Sequence, residues 1–159
     1  MGSDSDKDIA KAAGDTLEGL GIPCEIRVLS AHRTPDQAVE YARTAEERGV
    51  KVIIGIAGMA AHLAGVLASN TLLPVLGVPA GGGLLGGLDA LLSTVQMPPG
   101  VPVGTVAVGK AGGANAAYLA ARIIGVSEPV VQDALKNARD AMKERVLNAD
   151  RNIQGMGQQ

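Results

Sequence analysis

Residues 50–56, Val-Lys-Val-Ile-Ile-Gly-Ile, form a nearly continuous apolar run. A strand with one wet face alternates polar and apolar positions, whereas a run like this belongs to a strand covered on both faces. Such strands occur in parallel sheets, whose crossover connections lay helices over both sides. Further apolar runs at 24–29, 73–78 and 101–108 predict companion strands. Between them lie segments of helical spacing. Over 6–20, Ile9, Ala12, Ala13, Leu17 and Leu20 fall near one face, and Gly21 is the stop. A second helix, 36–48, is opened by Thr34-Pro35 and closed by Gly49. Others are predicted at 60–70, 88–94 and 112–124. A long charged helix over 128–147 completes a single predicted domain, 1–147, and 148–159 is expected to be a flexible tail. Strands alternating with helices, without a linker or a solenoid repeat, predict one doubly wound α/β domain.

One piece of that pattern is absent. Gly2-Ser3-Asp4-Ser5-Asp6 reads as the glycine-serine turn that follows a first parallel strand, with backbone N–H groups aimed at an anion. Only Met1 precedes it. The expectation is a chain begun late or shortened, or another segment filling that place in the sheet.

Composition narrows the function classes. The 159 residues suit one domain with a real core. A net charge of −2 and a pI near 5.6 provide no electrostatic footprint for nucleic acid or an acidic membrane. No apolar run reaches the roughly 18 residues of a membrane span, and no signal-peptide pattern opens the sequence. Cys24 is the only cysteine and has no internal disulfide partner. A soluble, cytoplasmic protein is expected. Phe and Trp are absent, and Tyr41 and Tyr118 are the only aromatic residues, while glycine numbers 22. Thin aliphatic side chains bury less area per residue than aromatic ones, so burial between subunits would compensate, which favours an oligomer.

Ser30-Ala31-His32-Arg33-Thr34-Pro35 carries the most chemistry. It stands where the 24–29 run gives way to a helix, and ligands of open α/β sheets gather at that carboxyl end. Arg33 offers a fork of donors suited to phosphate, and His32 is the side chain best placed to move protons near neutral pH. The pair suggests a phosphorylated small molecule undergoing proton transfer; a solvated loop pair is the plainer reading. Residues 57–63 occupy a second strand end. Ala57, Gly58, Met59, Ala60, Ala61 and Leu63 would make a small, water-excluding pocket bounded by His62, or His62 is a core histidine at a helix start. Ser3, Ser5 and Asp6 cap a helix, or they meet an anion there while Asp6 accepts hydrogen bonds from sugar hydroxyls.

The remaining motifs are weaker. The glycine run at 81–87 lacks the ending of a phosphate loop and reads as a mobile loop over the site or a backbone crossing at a subunit contact. Gly109-Lys110-Ala111-Gly112-Gly113-Ala114-Asn115 reads as a helix entry. No metal-ligand spacing and no nucleophile constellation is legible, so neither a metal nor an organic cofactor is expected. The charges over 136–145 read as a solvated helix face.

Together, MGSDSD, SAHRTP, AGMAAHLAGVLAS, LPVLGVP and GLDALLSTVQMPPGVPVGTVAVGKAGGANAA resemble the class I PurE family of N5-carboxyaminoimidazole ribonucleotide (N5-CAIR) mutases, in order from residue 2 to about 125. The resemblance implies a flavodoxin-like α/β/α sandwich, here without the family's first strand. It implies transfer of a carboxyl group from N5 to C4 of an aminoimidazole ribonucleotide in purine biosynthesis, without a cofactor. Carried over, Ser3 and Arg33 hold the 5′-phosphate and Asp6 the ribose. Ser30 and His32 lie beside the ring, and His32 transfers the proton. The route implied is decarboxylation, trapping of carbon dioxide, then recarboxylation at C4. A homo-octamer with sites at subunit contacts is implied as well, with N5-CAIR synthetase as a pathway neighbour. The chain departs from the family at Ala64, where proline is usual, and over 81–87, where added glycine implies a looser lid. Two alternatives stay open: direct carboxylation of aminoimidazole ribonucleotide (AIR) in the class II manner, and a nucleotide-binding or assembly protein of the same fold with impaired catalysis.

Overall fold

The computed structural model describes residues 1–156. Three parallel strands, β1 (Ile53–Ala57), β2 (Val75–Pro79) and β3 (Gly104–Thr105), lie side by side in that order. Ile53 pairs with Val75 and Ala57 with Pro79, while Leu76 pairs with Gly104. The helices are α1 (Lys7–Gly19), α2 (Pro35–Thr44), α3 (Leu63–Ala68), α4 (Leu88–Val95), α5 (Lys110–Ile124) and α6 (Pro129–Met156). Each parallel link carries a helix: α3 joins β1 to β2, and α4 joins β2 to β3.

Alternation along the strands sorts the core into two layers. Ile56, Leu76 and Val78 pack with Ile9 and Ala10 of α1 and Ala116 and Ala120 of α5. Ile53 and Val75 pack on the other face with Ala38 and Ala42 of α2 and Leu63, Ala64 and Leu67 of α3. The result is the three-layer α/β sandwich expected from the apolar runs. Small residues set its spacing. A methyl group at Gly113 of α5 would collide with the Ile9 carbonyl oxygen, so the α1–α5 contact requires glycine there.

Several elements differ from expectation, each for a local reason. Residues 24–29 join no ladder beyond two hydrogen bonds with Met1, because the neighbouring position in the sheet holds no other backbone. The strand expected over 101–108 is reduced to Gly104–Thr105, with Val106 and Gly109 adding single bonds to Gly77 and Pro79. The helix expected from residue 60 starts at Leu63, since Met59 adopts φ +55° and the chain turns before α3. The helix expected to residue 48 stops at Thr44 and unwinds through turns to Gly49 at φ +82°. Over the expected tail, residues 148–156 continue α6 to Met156, and residues 157–159 lie outside the described part. The 109–115 segment is a helix entry, as expected. Among the described residues, no helix is long and apolar enough to cross a membrane.

Candidate active site

Met1 and Gly2 fix the position of the amino-terminal turn. The Met1 ammonium donates to the Arg27 carbonyl at 2.8 Å, and the Leu29 N–H donates to the Met1 carbonyl at 2.9 Å. On the other side, the Gly2 N–H donates to the Ile56 carbonyl at 2.8 Å. Two residues thus hold the place of a strand end between residues 24–29 and β1. Leu63 and Ala57 lie directly beneath Gly2. Ser3 then caps the turn at 4–6, its Oγ accepting from the Ser5 N–H at 3.3 Å, and α1 follows. The capping reading of Ser3 therefore holds, and its hydroxyl donates to the Asp4 carboxylate at 3.2 Å.

Arg33 reaches this turn. Its guanidinium donates to the Gly2 carbonyl at 3.5 Å, so two segments 31 residues apart in sequence meet. Ser30 shapes the loop: its Oγ accepts from the N–H groups of His32 at 3.3 Å and Arg33 at 3.1 Å. Thr34, expected as the cap of the following helix, makes no side-chain cap bond there and closes the same turn instead. Its Oγ accepts from the Ser30 N–H at 2.8 Å, and its N–H donates to the Ser30 carbonyl at 3.0 Å. A serine and a threonine four positions apart just before a helix-opening proline was the available signal.

The second strand end meets the first at its histidine. His32 Nε2 lies 2.8 Å from His62 Nδ1, and the rings pack edge to face with centroids 5.0 Å apart. One nitrogen donates and the other accepts, so the contact holds a single proton between two imidazoles. Both rings are exposed to solvent. His62 is thus not a core histidine. The rest of residues 57–63 divides. Ala61 and Leu63 are each 2% exposed and belong to the core, while Met59 is 70% exposed, so within one chain the segment is an open rim rather than an enclosed pocket. Ser93 of α4 donates to the Met59 carbonyl at 3.4 Å, which ties α4 to the rim. Gly58 stands beside Ala80 at the strand ends. Residues 81–87 contain four left-handed positions, and the Asp89 carboxylate accepts the Leu84 N–H at 3.1 Å.

Electrostatics mark the turn. Burial pushes the Asp6 carboxyl above its ordinary value, partly offset by the Ser5 hydroxyl and the nearby Met1 ammonium. Burial also pulls the Met1 amine below its ordinary value, against the Asp6 charge. Among the described residues, no cluster of His, Cys, Asp and Glu has metal-binding geometry.

The structure is thus a parallel α/β sandwich that gathers a guanidinium, a serine-capped helix start, a carboxylate and two touching imidazoles at its strand ends. Comparison with known proteins narrows the class. The AIR carboxylase family model matches residues 1–145. The chain is 52% identical over 157 residues to the N5-carboxyaminoimidazole ribonucleotide mutase of Pyrococcus horikoshii, covering 99% of this chain and 88% of that one. It is 54% identical over 148 residues to the protein of the same name from Pseudomonas aeruginosa, covering 93% and 91%. Among solved structures, Treponema denticola PurE superposes with a TM-score of 0.84 at 28% identity, covering 96% of this chain and 94% of that one. This chain belongs to the AIR carboxylase family.

Proposed function

We propose that this protein interconverts N5-CAIR and its C4-carboxylated isomer in purine biosynthesis. The reading is carried by one observation: His32 and His62 hold a proton between them at 2.8 Å on the rim that Arg33 and the Ser3 turn share. Mutases of that name at about half identity over nearly the whole chain support it.

In this reading the 5′-phosphate lies between Arg33 and the Ser3–Ser5 turn, where the helix start adds N–H groups and a favourable dipole. Asp6 accepts from the ribose hydroxyls, whose hydrogen bonds favour its charged form. Ser30 sets the loop so that His32 faces the ring. The N5–carboxyl bond breaks, carbon dioxide leaves, and His32 supplies the proton that N5 takes. C4 then attacks the carbon dioxide, and His32 recovers the C4 proton as the ring regains aromaticity. No net proton is consumed, so one imidazole serves both steps and returns to its starting state. His62 holds the second end of that proton's path and fixes the tautomer of His32.

Retaining carbon dioxide requires a covered site, and a single chain leaves the rim open. Met59, Leu84, Leu85, Leu88 and Leu92 are exposed around it. We infer a homo-oligomer that covers this apolar rim, of eight subunits if it follows the family resemblance, working in the cytoplasm beside N5-CAIR synthetase. The test compares substrates at low bicarbonate. Product from N5-CAIR at a bicarbonate-independent rate is expected, whereas product formed only from AIR and carbon dioxide would replace this reading with direct carboxylation. Binding without turnover would replace it with a non-catalytic role.

A further inference from the structure

Two residues at the rim depart from the chain's own use of left-handed backbone. Among the described residues, positive φ falls on seven glycines and on only two residues with a side chain, Met59 at φ +55° and Leu85 at φ +50°. A Cβ makes that conformation unfavourable, so a large apolar residue there needs a reason. Core packing is not the reason, since Met59 is 70% exposed and Leu85 77%. Both stand just past the carboxyl ends of adjacent strands: Met59 follows β1, and Leu85 lies in the turn 84–86 that follows β2. The strand ends are in contact, because a methyl group at Gly58 would lie 3.4 Å from Ala80 Cβ. One helix holds both turns. From α4, Ser93 Oγ donates to the Met59 carbonyl, and the Asp89 carboxylate accepts from the Leu84 N–H. Ser93 Oγ also donates to the Asp89 carbonyl at 2.7 Å, and the two anchors lie one turn apart on the same helix face. Each turn is closed from its other side as well. The Ala61 N–H donates to the Met59 carbonyl at 2.9 Å, and the Gly87 N–H donates to the Leu84 carbonyl at 3.2 Å. Backbone strain persists only where its surroundings over-determine it, and it collects at ligand clamps.

We propose that Met59 and Leu85 are the apolar wall that retains carbon dioxide between its departure from N5 and its capture at C4. The proposal rests on the mutase reading. Carbon dioxide carries no charge and donates no hydrogen bond, so apolar side chains that keep water out hold it better than polar groups do. Met59 is three residues from His62, whose ring nitrogen lies 2.8 Å from that of His32, so the wall stands beside the proton carriers. Glycine at either position would suit the backbone and leave the wall open. That trade explains why the chain keeps a strained side chain at two places where it gains no core contact. In the assembly that covers the rim, these two side chains form the inner face of the cover.

The test measures escape. The full chain and its Met59→Gly, Leu85→Gly and Met59→Leu variants are given N5-CAIR, and AIR released above the spontaneous rate is compared with C4-carboxylated product. Each glycine variant is expected to raise that ratio about tenfold, the size of one apolar side chain's contact. Each should also raise the thermal midpoint by about 2–4 °C as the backbone relaxes. Met59→Leu keeps an apolar side chain and should keep the ratio of the parent. Damage to the fold would lower midpoint and rate together, whereas a higher midpoint with more escape is a pair of opposite sign. Equal ratios in the parent and the glycine variants, whatever their midpoints, would overturn the proposal. So would escape that rises only as sedimentation shows the assembly dissociating, which would make both residues subunit contacts. A parent that forms no product from N5-CAIR would overturn the mutase reading and this proposal with it, and the parent's measurement alone tells that failure apart.

Discussion

In the proposed reaction His32 moves the proton, and its neighbours define what each substitution should do. His32→Asn keeps a hydrogen-bonding ring-edge mimic but cannot shuttle a proton, so kcat should fall about 10²–10⁴-fold while ribonucleotide binding stays within a fewfold. His62→Asn should lower kcat by less and alter its pH profile, because His32 then loses the partner that fixes its tautomer. Arg33→Ala should mainly raise KM, by about 10–100-fold, the size expected for losing a charged hydrogen bond to phosphate. At Met1 the prediction concerns stability. Burial lowers the amine below its ordinary value of 8.0, so the folded state holds fewer protons than the unfolded one in that window. Stability should therefore rise with pH up to about 8 and level off above it. Asp6 acts in a separate, acidic window with the opposite sign: its raised carboxyl favours the folded state below 3.8, and that contribution is lost as pH rises through its folded value. Denaturant midpoints of the free and amino-acetylated chain across pH 6–9 check the Met1 claim, since acetylation should flatten the slope.

At the scale of elements, packing between α1 and α5 sets the tolerance. Gly113→Ala drives a methyl into the Ile9 carbonyl and should cost about 2–3 kcal/mol. Gly19→Ala, at the end of α1 with open space around it, should instead stabilise by about 0.5–1 kcal/mol. Thermal unfolding of both variants measures the contrast. The sequence made most elements readable because apolar periodicity is a local signal: α1, α4 and α5 fall within two residues of their expected bounds. Where boundaries moved, a distant or strained group decided. Residues 24–29 have strand composition but lack a neighbour to pair with, and no local pattern encodes that. The Met59 backbone turn delays α3, and positive φ at methionine has no compositional cue. At the site, the residue types were legible at each strand end, yet their meeting was not. The His32–His62 contact spans thirty residues and arises only because the sheet brings two carboxyl ends together. Leu63 misled for the same reason: its motif belongs to the rim, but its side chain faces the core.

For the whole molecule, the open rim and the chemistry have to be reconciled. A reaction that passes through free carbon dioxide competes with bulk solvent unless the site is covered, and exposed apolar side chains at Met59, Leu84, Leu85 and Leu92 indicate where cover would fall. Sedimentation at assay concentration should therefore reveal an assembly, and dilution below its dissociation range should lower kcat. The most direct test follows the carboxyl group itself. N5-CAIR labelled with ¹³C in its N5-carboxyl is converted in unlabelled bicarbonate, and the label in the C4-carboxyl product is measured. Retention of most of the label, independent of bicarbonate concentration, is the expected result. Loss of the label to the solvent pool, rising with bicarbonate, would contradict transfer within the site.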